Sequence, residues 1–227
     1  MDEQRRVGSE TPALRDTGPL LERIARSLAA RHGRAFSRET IAGYVEDCAD
    51  LLGYRWARVT TYLPVLVERF ADQRLRALAK ASGLVTGRVP EVLFVCTENA
   101  GRSQLAAALM RARAEDTVRV LTAGPDPAAE IAPVVELLLA ERGLDVGEEF
   151  PKPLTAEVVD AADVVVTLGC GDACPVRPGR RYLDWDLPDL SGLDIESARS
   201  VRDGLDARIG VLVGELVGTQ PSADPTR

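Results

Sequence analysis

Residues 91–110 read EVLFVCTENAGRSQLAAALM. Four apolar residues run into Cys96, a polar turn with one glycine follows, and an alanine- and leucine-rich run of helix formers comes next. A strand that turns through Thr97, Glu98, Asn99, Ala100 and Gly101 and enters a helix at Arg102–Ser103 is the start of a strand-helix unit. A buried strand has no structural need of a thiol at its end, so the turn is a candidate for chemistry.

Working outward toward the C-terminus, apolar runs and helical patterns alternate. VRVLTAG is a second strand, 131–142 a helix, ADVVVTLG a third strand, 181–185 a fourth short strand and 195–217 a long helix. Strand and helix taking turns predicts a parallel sheet covered by helices on both faces. Toward the N-terminus the rhythm is helical, with Leu21, Ile24, Ala25 and Leu28, then Ile41, Tyr44, Val45, Cys48, Leu51 and Leu52, at spacings of three and four. A third helix is expected over about 59–78, with Pro64 favouring a late start, and Ser37 stands at an N-cap position. Cys48 falls on the apolar face of its helix and reads as core. The domain expectation is therefore a flexible 1–18, a three-helix bundle at 19–80, a Gly- and Pro-bearing linker at 81–89, a catalytic α/β domain at 90–218 and a frayed 219–227.

The 227 residues are 45% hydrophobic and 28% charged, the balance of a folded globular protein. Residues 1–89 carry a net charge of +4 and the remainder −11, so charge divides where the linker is expected. The acidic second part argues against a nucleic-acid surface there, because phosphate backbones need clustered Lys and Arg. The first twenty residues lack the apolar core of a signal peptide and no later segment approaches an uncharged membrane span, so the expectation is a cytoplasmic protein with no membrane partner. Four cysteines and one histidine, His32, are too few for a disulfide scaffold, and the histidine lies in the bundle, away from any zinc-like set, so no metal is expected.

In open parallel sheets ligands bind beyond the carboxyl ends of the strands, which is where Cys96 stands. The backbone N–H groups of Thr97, Glu98, Asn99, Ala100, Gly101, Arg102 and Ser103 can curl into an anion-holding nest, with a helix N-terminus behind them. Arg102 adds a bidentate fork, so the expected ligand is a tetrahedral oxyanion. The same field favours a thiolate, which makes Cys96 the candidate nucleophile. Ser103 can hydrogen-bond its sulfur, and Asn99 can brace the loop from within.

The string VLFVCTENAGRSQLAAALM resembles the phosphate loop of the low-molecular-weight protein tyrosine phosphatase superfamily. Thr97, Asn99 and Gln104 lean toward its arsenate reductase branch, the segment with Cys170 and Cys174 resembles the thioredoxin-coupled members, and the resemblance covers about residues 90–217. It implies a four-stranded parallel sheet flanked by helices, here preceded by a small all-α three-helix bundle, and arsenate as substrate. It also implies a relay in which Cys170 forms a disulfide with Cys96 and Cys174 passes the oxidation outward to thioredoxin, or to mycothiol, with no bound cofactor. Both cysteines follow the third strand, on the sheet edge expected for Cys96. The superfamily uses an aspartate before a proline as general acid. In YLDWDLPDLSG the match is Asp189, with Leu190 in the proline's place and Asp186 as the reserve.

Aromatic residues beyond position 90 number four, Phe94, Phe150, Tyr182 and Trp185, too few to wall a cleft for a phenyl ring. That scarcity favours a small inorganic substrate. Two rivals stand beside the reductase: a phosphotyrosine or small phosphate-ester phosphatase, and a non-catalytic arsenite or redox sensor. The bundle resembles the helical extension of some actinobacterial arsenate reductases, and its expected role is docking or homodimer formation rather than DNA binding, for which no recognition helix is evident.

Overall fold

A computed structural model describes residues 18–56, 63–85, 89–169 and 176–218. Three helices come first: α1 (Gly18–His32), α2 (Arg38–Trp56) and α3 (Leu63–Ala81). Ser37 caps α2 as expected, its Oγ accepting the Thr40 N–H at 3.2 Å. Pro64 occupies the first turn of α3, where no intrahelical donor is lost. Ile24, Leu28, Ile41, Val45, Leu52, Val67, Phe70 and Leu75 form the bundle core, and Cys48 is fully buried among them.

The alternation that follows gives β1 (Glu91–Val95), α4 (Arg102–Ala114), β2 (Arg119–Ala123), α5 (Pro133–Ala140), α6 (Ala156–Ala161), β3 (Val164–Thr167), β4 (Arg181–Asp184) and α7 (Ile195–Gly218). The four strands form one parallel sheet in the order β2-β1-β3-β4, with Val95 opposite both Ala123 and Thr167. The chain leaves β1 for β2 on one side and meets β3 on the other, so the strand order reverses at β1 and opens a crevice above its carboxyl end. Cys96 is the next residue.

Alternate residues of β1 serve opposite layers, as a period of two requires. Val92 and Phe94 pack with α4, α5 and α7, while Leu93 and Val95 pack with α6. α4 is buried on nearly every side, and its run Ala106, Ala107 and Ala108 lets it lie close to the sheet. β4 is the half-exposed edge.

The bundle joins the second layer. Ala77 of α3 belongs to the same apolar cluster as Leu93, Val95, Val158 and Val165. Arg74, 7% exposed, bonds Asp47 of α2 and Glu157 of α6 and lies over the Tyr44 ring. Lys80 pairs with Asp163 at 2.6 Å, and that carboxylate also accepts the Glu91 N–H at 2.8 Å. α6, absent from the sequence expectation, is the helix against which α3 rests. Among the described residues, no helix is long and apolar enough to cross a membrane.

Candidate active site

The turn after β1 is shaped by what holds its carbonyls. Thr97, Glu98 and Ala100 present their C=O groups to the N–H groups of Asp126, Ala128 and Ala132 at 3.0, 2.8 and 3.0 Å. Carbonyls drawn outward to that one strap leave the loop amides to face the concave side, which is the construction of an anion nest. Gly124 lies directly beneath: a β-carbon there would sit 2.5 Å from the Cys96 carbonyl oxygen and 2.6 Å from that of Thr97. Asn99 takes a left-handed conformation, φ +49°, which asparagine tolerates better than most residues.

Cys96 is buried, and its Sγ is 2.9 Å from Ser103 Oγ. Asn99 Nδ2 donates to the same Ser103 oxygen at 2.9 Å. Since that oxygen accepts from Asn99, the Ser103 proton is free to point at the sulfur. Both polar residues are fully buried, so the arrangement is fixed by packing rather than by solvent.

Arg102 is the first residue of α4, and its side chain is largely buried. It donates from Nη1 to the Leu187 carbonyl at 3.0 Å and from Nη2 to Asp189 Oδ2 at 2.7 Å. Asp189 is thereby paired with Arg102, while Asp186 lies just past β4; both aspartates are exposed. Burial pushes the Asp189 carboxyl up, but hydrogen bonds from Ser191 and the Arg102 charge outweigh it and hold the group below the usual carboxylate range. Gly169, at φ +69°, packs so tightly on Arg102 that a β-carbon would meet Nη1 at 2.3 Å. The described chain thus reaches the guanidinium one residue before Cys170. Cys170 and Cys174 themselves lie outside the described residues.

Of four residues with a hold on this loop, Thr122, Glu149 and Lys152 went unread in the sequence. Lys152 N–H donates to Asn99 Oδ1 at 2.8 Å, and Gln104 Nε2 donates to the carbonyls of Asn99 and Phe150 at 2.9 and 3.3 Å. Thr122 Oγ1 donates to Glu149 at 3.2 Å, and Glu149 pairs with Arg111 at 2.7 Å and with the buried Lys152 ammonium. Burial raises the Glu149 carboxyl, but the Lys152 and Arg111 charges outweigh it and leave it below its ordinary value. Burial likewise lowers Lys152, with Glu149 opposing. Only Gln104 had any sequence signal, and that came from the family resemblance. Among the described residues, no group of three or more His, Cys, Asp or Glu could hold a metal ion.

The sheet order, the thiol just past its interior strand β1 and the arginine at the head of the helix that follows are the features that place this fold. The chain belongs to the low molecular weight phosphotyrosine protein phosphatase family, whose model matches residues 91–220, and residues 21–79 match a protein-tyrosine-phosphatase-like N-terminal domain. It is similar to the Corynebacterium glutamicum thioredoxin-dependent arsenate reductase Cg_ArsC1', at 44% identity over 90% of this chain and 100% of that one, with a TM-score of 0.81. A putative arsenate reductase of Halobacterium salinarum is 33% identical over 128 residues, 54% of this chain and 90% of that protein. The YwlE arginine phosphatase from Geobacillus stearothermophilus shares the fold at 26% identity and a TM-score of 0.52, over 61% of this chain and 99% of that one.

Proposed function

We propose that the protein is an arsenate reductase in which Cys96 forms the sulfur–arsenic bond and Cys170 and Cys174 carry the resulting oxidation to thioredoxin. The observation that carries this reading is the likeness to a thioredoxin-dependent arsenate reductase across the bundle and the α/β domain together, 90% of the chain.

Arsenate enters the nest on the loop amides and the Arg102 fork. The Ser103 hydroxyl, aimed at Sγ, supports the thiolate that attacks arsenic. One arsenate oxygen leaves as water and takes a proton from Asp189. Asp189 is paired with Arg102 in this structure. An oxyanion that competes for the guanidinium frees the carboxyl and sets a negative charge beside it, and both changes raise its proton affinity. Cys170 thiolate then attacks the Cys96 sulfur: the S–S bond forms, the S–As bond breaks, and its electron pair stays on arsenic, which leaves as arsenite. Cys174 thiolate attacks Cys170, releasing Cys96 and leaving a Cys170–Cys174 disulfide, which an external dithiol reopens. The contact between Gly169 and Arg102 supports this relay, since it brings the chain to the nest immediately before the first of the two cysteines.

The aromatic residues support a small substrate. Phe94 is fully buried and packs on Trp185 with ring centroids 6.0 Å apart, Phe150 is buried in the bundle cluster, and Tyr182 packs on the α6 side of the sheet. All four aromatic side chains after residue 90 are engaged in packing, which favours a substrate without an aryl group.

The test is NADPH consumption on adding arsenate, with thioredoxin and thioredoxin reductase supplied, for wild type, Cys96→Ser and Cys174→Ser. A reductase turns over only as wild type. Hydrolysis of a phosphate ester that survives Cys174→Ser, with no arsenate-dependent NADPH loss, would make it a phosphatase. Replacing thioredoxin by mycothiol in the same assay identifies the reductant.

A further inference from the structure

Phe150 belongs to two parts of the molecule at once. Its side chain is 7% exposed and joins the apolar cluster of the bundle, with Val67, Phe70 and Leu75 of α3, although the residue lies in the α/β domain between α5 and α6. Its carbonyl accepts Gln104 Nε2 from the first turn of α4 at 3.3 Å. On one side of it, Glu148 is tied to α3, its carbonyl accepting Arg69 Nη1 at 3.2 Å and its carboxylate pairing with Arg69 at 2.8 Å. On the other side, the Lys152 N–H holds Asn99 Oδ1 at 2.8 Å.

From there the chain of contacts is short and buried. Asn99 donates to Ser103 at 2.9 Å, and Ser103 meets Cys96 Sγ at 2.9 Å. Asn99, Ser103 and Gln104 are all under 2% exposed and Lys152 is 2% exposed, so no water competes for these bonds. Asn99 also needs outside support, because a non-glycine residue at φ +49° keeps that conformation only where its surroundings over-determine it. Both ends of its amide are engaged, one by Ser103 and one by Lys152. The Glu149 carboxylate, held by Lys152, Arg111 and Thr122, fixes the segment laterally.

We propose that the three-helix bundle positions the nucleophile loop, with Phe150 as the anchor in the bundle and Lys152 and Asn99 as the positioning residues that pass its placement to Ser103 and Cys96. The bundle is then part of the catalytic machinery's support, in addition to any docking role. A ring seated in the apolar cluster of the bundle sets where the 148–152 segment runs. That segment sets the direction of the Lys152 N–H, and the N–H sets the Asn99 side chain that orients the hydroxyl facing the sulfur. The inference rests on the Cys96–Ser103 turn being an oxyanion-binding nucleophile loop and is independent of whether arsenate or a phosphate ester is the substrate.

The test reads the loop directly in the full-length reduced protein. Alkylation of Cys96 by iodoacetamide at pH 7 is followed by peptide mass spectrometry at rising inorganic phosphate, which gives the phosphate concentration that half-protects the thiol. Phe150→Ala removes the anchor, Phe150→Leu refills most of it, and Val67→Ala loosens the bundle within the same cluster. The expected result is a roughly tenfold rise in the half-protecting phosphate concentration for Phe150→Ala, largely restored by Phe150→Leu, and a smaller rise for Val67→Ala. Half-protection within about twofold of wild type in Phe150→Ala and Val67→Ala, while their melting temperatures fall, would overturn the proposal and leave Phe150 as ordinary core. If Phe150→Ala does not fold, Val67→Ala decides alone by the same criterion. A chain that is not a reductase would still show the phosphate effect, so the two readings fail separately.

Discussion

Replacing Gly124 with alanine probes the loop with a single carbon. The added atom would lie 2.5 Å from the Cys96 carbonyl oxygen, 2.6 Å from that of Thr97 and 2.8 Å from the Asn99 nitrogen, all of them backbone. A carbon needs about 3.5 Å from such atoms, so the nucleophile loop must retreat by roughly 1 Å. Residue 124 has little freedom to yield instead, because its N–H is held by the Lys152 carbonyl at 2.9 Å and its carbonyl by the Leu154 N–H at 2.9 Å. Overpacking of this kind costs about 1–3 kcal/mol of stability, and a displacement of about 1 Å at the reacting atoms lowers the rate by about a hundredfold. The assay is arsenate-dependent NADPH oxidation through thioredoxin, with the urea midpoint measured alongside. Gly124→Ala is expected to fold, lose most of kcat/KM and unfold at lower urea. A variant within about threefold of wild-type kcat/KM and with an unchanged midpoint would refute the tight seating of the loop on residue 124.

Three further outcomes follow from the same geometry. Arg102→Lys keeps the charge but loses the fork that now reaches Leu187 and Asp189, and should lower kcat/KM by about a hundredfold, read in the same NADPH assay. Ser103→Ala removes the hydroxyl facing Cys96 and orphans the buried Asn99 Nδ2, so stability should fall by about 1–3 kcal/mol in urea titration and Cys96 alkylation at pH 7 should slow. Glu149 has a depressed folded pKa, so its contribution is present above its unfolded value near pH 4.5 and is lost as pH falls through the lower folded value. Wild type should therefore lose melting temperature below about pH 4.5, and Glu149→Gln should start lower and show a flatter acid limb, by differential scanning fluorimetry.

The sheet and its crevice were legible because they are written in local pattern. The apolar run before Cys96, the change of rhythm beyond the linker and the helix periods of the bundle each depend on neighbours in sequence, and Ser37 carried its cap in its own side chain. The residues of the proposed oxyanion loop could be picked out for the same reason: thiol, glycine and arginine stand within seven positions of one another. What escaped depends on distant partners. α6 has six residues, too few to display a helical period. A helical stripe tells that α3 is buried but not that Ala77 meets a sheet while Phe70 meets a bundle. The brace on Asn99 is a backbone N–H, which any residue but proline can supply, so nothing in the letters EEFPKP distinguishes Lys152. Gly124 closes a strand like many glycines, and only its distance to the Cys96 carbonyl reveals why a side chain is excluded.

If one thiol takes up arsenate and two others remove the oxidation, a single turnover without thioredoxin leaves both products behind. Fully reduced protein is mixed with arsenate, arsenite is quantified, and the disulfides are mapped by mass spectrometry. About one arsenite per chain is expected together with a Cys170–Cys174 disulfide, since reducing arsenate takes two electrons and one dithiol supplies them. Cys96→Ser should yield neither product. Four intact thiols and no arsenite from wild-type protein that still hydrolyses a phosphate ester would contradict it.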